Sequence, residues 1–311
     1  MRAVLLGILA SLFFAATFVL NKLMSDGGGS WMWSASLRYI FMLPLLLFIV
    51  WMRGRWEALA REMRRRPWQW AWWSFVGFGL FYAPLCFAAA YSPAWFVAGT
   101  WQFTIIAGSL VVPLFHEMRP VDDRVTRVRR RIPFRSMGMS LVILLGIIIM
   151  EGSQATRVSV SHMLLAIIPI LIATFAYPLG NRKMMELCEG RLDAYQRTLG
   201  MTIASMPLWL ILSFYQWAIH GWPSADQSMQ SFVVAVFSGV IATVLFFTAT
   251  DMARHNLHQL AAVEATQSGE VVFTLIGELI IIAGTQISMA GFIGLSVVVI
   301  GMVLHSLGQV S

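Results

Sequence analysis

The sequence predicts an all-α integral membrane protein: ten transmembrane helices laid out as two inverted-topology five-helix repeats. Three observations predict it: a shortage of charge, a regular succession of apolar runs, and basic residues confined to alternate connections. Of 311 residues, 58% are hydrophobic and only 12% charged, with a mean hydropathy of +0.73. Soluble domains carry about 25% charged residues. So little charge cannot cover a water-facing surface, whereas lipid asks for none.

A helix needs about 20 apolar residues to cross the hydrocarbon core. Ten stretches qualify: 3–24, 31–52, 69–90, 93–115, 136–152, 161–181, 195–218, 230–251, 259–283 and 287–308. The first follows Arg2 and offers no small-residue cleavage site, so it reads as a retained span rather than a secretory signal. The fifth is the shortest. Pro44, Pro84, Pro113, Pro169, Pro178 and Pro207 fall inside spans, which membrane helices tolerate when neighbours re-satisfy the backbone. Trp31, Trp33, Trp51, Trp68, Trp70, Trp72, Trp95, Trp217 and Trp222 gather near span ends, as an aromatic belt would. Cys86, in span three, and Cys188, in a basic loop, read as inert packing or loop residues and not as a disulfide framework.

Charge then orients the chain. The loop after span two carries Arg53, Arg55, Arg61, Arg64, Arg65 and Arg66, and the loop after span four carries Arg119, Arg124, Arg127, Arg129, Arg130, Arg131 and Arg135. Arg182, Lys183 and Arg191 follow span six, and Arg254 follows span eight. The alternate loops hold only Lys22 and Arg157. Ten spans place every basic loop on one side together with Arg2. By the positive-inside rule that side is cytoplasmic, and both termini lie there, in a bacterial inner membrane. The pI near 10.0 follows from these clusters. They read as topology determinants against anionic headgroups, with the lipid bilayer and not nucleic acid as partner.

The halves echo each other weakly. Asn21-Lys22 closes span one and Asn181-Arg182-Lys183 closes span six; Arg38 lies early in span two and Arg197 early in span seven. Phe75-Val76-Gly77 in span three is matched by Phe237-Ser238-Gly239 in span eight. A near-constant offset through these pairs divides the chain into repeats 1–155 and 156–311. Five spans is an odd number, so the second repeat enters the membrane from the opposite side. Such inverted repeats put a binding site near the midplane, between the halves.

These residues resemble the drug/metabolite transporter superfamily, in its ten-helix EamA-like branch and the multidrug-efflux-like relatives within it. Gly269-Glu270-Val271-Val272-Phe273 is similar to the family's Glu-Pro-Val-Phe run, with Val271 in place of the proline. Phe115-His116-Glu117 keeps the glutamate of a Gly-Glu pair and loses its glycine, and Ala283-Gly284 keeps the glycine and loses the glutamate. Gly291, Gly294 and Gly301 match the closing span. The resemblance implies a small-solute exporter or exchanger whose spans one, three, four, six, eight and nine line a cavity. Four-helix multidrug members carry an essential glutamate in their first span. Span one here has no carboxylate, so that coupling position is not carried over.

Span nine carries the chemistry. Glu264, Gln267, Thr274 and Glu278 follow the spacing of one helical face, with Glu270 close to it and near the midplane. Charge within a span faces a cavity or a partner. Glu270, or else Glu264, is therefore expected to carry a proton or to hold the cationic group of a substrate, one at a time; ion pairing to an intramembrane arginine is the structural alternative. Arg38 divides between a structural pair and contact with a substrate carboxylate, and Arg197 is expected to snorkel to the headgroups. Tyr82, Trp101, Gln102, Thr104 and Tyr177 are candidate cavity groups whose ring faces suit organic cations, set against ordinary packing. Asn21 and Asn181 are candidates for gating the two mouths or for capping helix ends. Asp251, His255 and His258 are too few for a structural metal site. No metal and no cofactor is expected, and no Walker motif, dinucleotide fingerprint or nucleophile elbow appears in the sequence.

Two classes remain open. One is a secondary transporter, not an enzyme: an efflux exporter of cationic drugs or amines, or of amino acids and related metabolites, with protons as a further partner and a monomer or homodimer as its assembly. The other is a membrane-embedded enzyme acting on lipid or headgroup substrates.

Overall fold

A computed structural model describes residues 1–121, 124–129, 132, 134–152, 160–281 and 288–307. Helix α1 (Arg2–Asp26) and helix α2 (Trp31–Met52) lead into a short helix α3 (Trp56–Arg65). Span three is assembled from α4 (Pro67–Ser74), a π-helical segment Phe75–Gly79 and α5 (Leu80–Ala89). Span four is α6 (Ala94–Trp101) and α7 (Phe103–Leu110), parted at Gln102 and closed by a 3-10 turn at Val112–Leu114 that takes Pro113 out of the helix. A hairpin of β1 (His116–Val121) and β2 (Arg124–Arg129), with Glu117 opposite Val128, follows. Then come α8 (Phe134–Gly152), α9 (Val160–Cys188) and α10 (Ala194–His220). Span eight is α11 (Ala225–Val234), a second π-helical segment Ala235–Ala242 and α12 (Thr243–Ala253). Span nine is α13 (Leu257–Ala265), a 3-10 turn Thr266–Ser268 and α14 (Gly269–Ile281), and α15 (Met289–Leu307) completes the chain.

The helical segments agree with the apolar runs to within a few residues, save that α9 continues to Cys188. Among the described residues, five helices are long and apolar enough to cross a membrane: Arg2–Asp26, Trp31–Met52, Pro67–Ala89, Ala194–His220 and Ala225–Ala253. Phe48, Ile211, Phe214, Leu145, Ile280 and Ile300 all point outward and stand exposed. A rim so apolar belongs in lipid, because a soluble monomer rarely exposes patches beyond a few hundred Å². This is a multi-pass helical membrane protein.

Packing is matched between the two parts of the chain. α1 lies against α12, α14 and the π segment of span eight, while α9 lies against α5, α7 and the π segment of span three. α2 packs on α10, and α8 on α15. Where α8 meets α15 the backbones nearly touch: a Cβ at Gly146 would lie 2.8 Å from the Gly294 carbonyl oxygen, and one at Gly301 2.8 Å from Ile143. Small residues are what bring membrane helices this close. Gly77 likewise abuts Gly180 and Met201, and Gly239 abuts Met42.

Several sequence expectations are corrected here. The loop after span two contains α3, whose Leu59 is fully buried against Gly200. Leu59 and Met63, one turn apart among charges, are the amphipathic signal for it. Of the tryptophans assigned to the belt, Trp33, Trp70 and Trp95 are buried in the protein, while Trp51, Trp68, Trp72, Trp217 and Trp222 are exposed. Cys188 is no loop residue; it ends α9 and is buried. On the surface, Arg191 pairs with Glu62 at 2.9 Å and with Glu189, and these carboxylates hold its guanidinium above its ordinary value. Arg130, Arg131, Arg157, Ala283-Gly284 and the 155/156 boundary lie outside the described residues.

Candidate functional site

The interior is polar where the helices break. Spans four and nine, each a single helix by composition, are interrupted partway along at Gln102 and at Thr266–Ser268. Discontinuous helices free backbone groups and turn side chains toward a common centre, which is how transporters build midplane sites. Spans three and eight carry the π segments, the form that helices often take at functional positions. In span eight Thr243 Oγ1 donates to the Ser238 carbonyl at 2.9 Å, satisfying an acceptor five residues back.

A central cavity is lined by Thr17, Arg38, Trp101, Tyr177, Gln267 and Glu270, with Phe14, Phe18, Phe81, Leu85 and Ser238 completing the wall. α1, α2, α5, α6, α9 and α14 together with the π segment of span eight and the 3-10 turn of span nine therefore meet here. The Trp101 indole N–H is aimed at the Glu270 carboxylate. Phe81, Trp101 and Tyr177 form a ring cluster with centroids 4.6–5.5 Å apart. Thr17 Oγ1 donates to Ser238 Oγ at 2.5 Å, tying α1 to span eight.

Arg38 is 2% exposed and lies over the Tyr82 ring, 4.1 Å from its centroid. Its Nε and Nη1 have no hydrogen-bond partner among the described residues. Asn21 and Tyr82 sit behind it: Asn21 Nδ2 donates to the Tyr82 hydroxyl at 3.3 Å and to Cys86 Sγ at 3.4 Å. Arg38 and Glu270 thus share one cavity without forming an ion pair with each other.

A second cavity adjoins the first through Tyr177 and Gln267, which line both, and continues past Thr104, Asn181, Arg182 and Glu264. Glu264 is held there. Arg182 donates from Nε to Oε1 at 2.8 Å and from Nη2 to Oε2 at 2.5 Å, and its Nη1 donates to the Gly108 carbonyl at 2.6 Å. This planar fork ties α9 to α13 and α7. At the other end of span nine, Glu278 faces the Ala94 and Trp95 amides, where the N-terminus of α6 attracts a carboxylate.

The structure therefore gathers Arg38, Trp101, Tyr177, Gln267 and Glu270 round one space and puts Glu264 and Asn181 in the next. Tyr82 and Asn21 support Arg38 from behind. Gln102 lines neither cavity; its Nε2 turns back to the Ala98 carbonyl at 3.1 Å. Asn21 and Asn181 cap nothing, because α1 runs on to Asp26 and α9 to Cys188. Arg197 does not snorkel. It is 2% exposed, donates to Asp251 at 2.5 Å and to the Phe247 carbonyl at 3.2 Å, and stacks on the Phe247 ring. Arg182, taken as a loop charge, was missed, as was the Thr17–Ser238 pair. The extension of α9 past Pro178 hides the first, and only the Phe-Ser-Gly echo hints at the second.

Comparison with known proteins agrees with this architecture. Residues 1–311 match the family model described as "EmrE: Putative multidrug resistance efflux transporter". The chain is 54% identical to "Uncharacterized protein YjlA" of Bacillus subtilis over 306 residues, covering 98% of this chain and 94% of that one. It is 48% identical over 270 residues to an "Uncharacterized 42.1 kDa protein" of Shouchella clausii, covering 87% and 70%. A solved structure described only as "Crystal structure of protein" superposes with a TM-score of 0.71 at 12% identity, covering 99% and 98%, and supports the fold alone. A cavity bounded by broken helices in a lipid-facing bundle is what such a family needs, and with its whole length matched the chain belongs to the putative multidrug resistance efflux transporter family.

Proposed function

We propose that the protein is a secondary transporter that exports a small organic solute by alternating access, with repeats 1–155 and 156–311 rocking about the central cavity. The observation that carries this reading is the cavity itself: a buried carboxylate, Glu270, set among rings and hydroxyls contributed by helices of both repeats. The paired breaks support the repeat, since spans three and eight both carry π segments and spans four and nine are both interrupted. The matched packing of α1 and α9 supports it again.

In this reading both termini are cytoplasmic in a bacterial inner membrane. Glu270 holds a proton or the cationic group of the solute, and exchange of one for the other couples the two fluxes. Cationic drugs and amines, or amino acids and related metabolites, are the solutes in range. Tyr177 and Gln267 separate the central cavity from the space beside Arg182 and Glu264. The enzyme alternative needs a free acidic and histidine cluster at one interface. It finds none near Asp251, which is held by Arg197, while His255 Nε2 accepts from Arg254 at 2.9 Å.

Uptake of a labelled amine and amino-acid panel into proteoliposomes, with and without an imposed pH gradient, tests the reading. Gradient-driven flux is expected in the wild type and at least a hundredfold less in Glu270→Gln with folding intact. Equal flux in the two proteins removes Glu270 from the mechanism, and no flux of any solute under any gradient removes the transporter.

A further inference from the structure

We propose that the central cavity binds a solute bearing both charges, a zwitterion whose carboxylate sits on Arg38 and whose ammonium sits by Glu270, rather than a lone cation. The inference rests on the transporter reading and specifies its substrate class. Arg38 carries it. A guanidinium is a permanent charge with five donors in a fixed fork. Here it is almost wholly buried at the wall of a cavity, and Nε and Nη1 have no partner among the described residues. Nε–H and Nη1 lie on different sides of the guanidinium, so each is free to donate singly to a carboxylate oxygen. The Tyr82 ring covers one face of the guanidinium and fixes its plane, leaving Nε and Nη1 as the donors to be satisfied.

Charge balance selects the ligand. The cavity wall holds one basic side chain, Arg38, and one acidic side chain, Glu270, and no ion pair joins them. A monocation at Glu270 leaves Arg38 uncompensated in low dielectric, and a monoanion at Arg38 leaves Glu270 so. A zwitterion answers both at once and keeps the site neutral while it crosses. The remaining wall, of Phe14, Phe18, Phe81, Leu85 and Trp101, is apolar and aromatic.

Arg197 shows what a structural arginine looks like in this fold. It is buried to the same degree, yet its charge is answered by Asp251 and its Nη1 and Nη2 donate to Asp251 and Phe247, with Nε alone left without a partner among the described residues. Among the described residues no carboxylate pairs with Arg38.

The test compares matched triplets in wild-type proteoliposomes: phenylalanine, phenethylamine and 3-phenylpropionate, then leucine, isoamylamine and 4-methylpentanoate. Binding is read in parallel by tryptophan fluorescence, since Trp101 lines the cavity. The expected result is at least tenfold preference for the zwitterion of one triplet over both of its single-charge analogues. In Arg38→Gln that preference should collapse to the level of the amine, while Arg38→Lys keeps part of it. An amine transported as well as its zwitterion in both triplets overturns the proposal, and so does discrimination that survives in Arg38→Gln. Amine flux abolished by Glu270→Gln would in that event leave the transporter reading standing. Failure of both triplets to bind also overturns the zwitterion. The wild-type comparison needs no variant to fold.

Discussion

Arg38 lies early in α2 and Arg197 early in α10, each 2% exposed, each stacked on an aromatic ring. One is paired with Asp251 at 2.5 Å and fastens α10 to α12; the other lines a cavity with donors unanswered. Span nine repeats the contrast in carboxylates: Glu264 is gripped by Arg182, and Glu270 lines the central cavity beside the Trp101 indole. Burial alone therefore does not separate scaffold from site. What separates them is whether the protein supplies the opposite charge.

The sharpest way to break this comparison is to strand each charge in turn. Glu264→Ala leaves Arg182 buried and unpaired, and should cost on the order of 3–5 kcal/mol in detergent-solubilised thermal unfolding. Glu264→Met with Arg182→Met should recover most of that loss, because two matched apolar side chains leave nothing stranded. Asp251→Ala strands Arg197 and should cost about 2–4 kcal/mol, a little less because the Asp251 side chain is 23% exposed. Arg38→Met should behave oppositely, holding or raising the unfolding temperature while abolishing selective binding. A large loss of stability in Arg38→Met would mean that the arginine is scaffold after all.

Smaller effects sharpen the picture. Gly146→Leu should cost about 1–3 kcal/mol by forcing α8 from α15, since no space exists for a side chain beside Gly294. Glu62→Gln removes a partner from Arg191 at the surface and should change stability by less than about 1 kcal/mol, less still at high salt.

Much of the fold was legible beforehand. Apolar runs gave the helices nearly to their ends, because a span must satisfy its backbone internally and its length is set by the bilayer. The Phe75-Val76-Gly77 and Phe237-Ser238-Gly239 echo fell on the two π segments, a local backbone form that hydropathy does not register. The polar face of span nine was legible by spacing, but the 3-10 turn that breaks it at Thr266–Ser268 was not, and neither was the helix α3 hidden in an arginine-rich loop. Asn21 and Asn181 read as helix ends because hydropathy falls at the first polar group, yet both helices continue: Asn21 is met by Tyr82 and Cys86, and the Asn181 side chain has no hydrogen-bond partner among the described residues.

By itself the sequence determined that the chain is a helical membrane protein, where its spans lie, and which few ionisable side chains stand inside them. Composition and periodicity act locally, and lipid enforces them on every segment alike. Only the tertiary structure decided which of those charges meet. Arg182 reaches Glu264 from 82 residues away and Arg197 reaches Asp251 from 54, whereas Arg38 reaches a cavity. Whether a buried charge is answered depends on distances between helices, and those are set by packing at sites such as Gly77 against Gly180, far from the charges themselves.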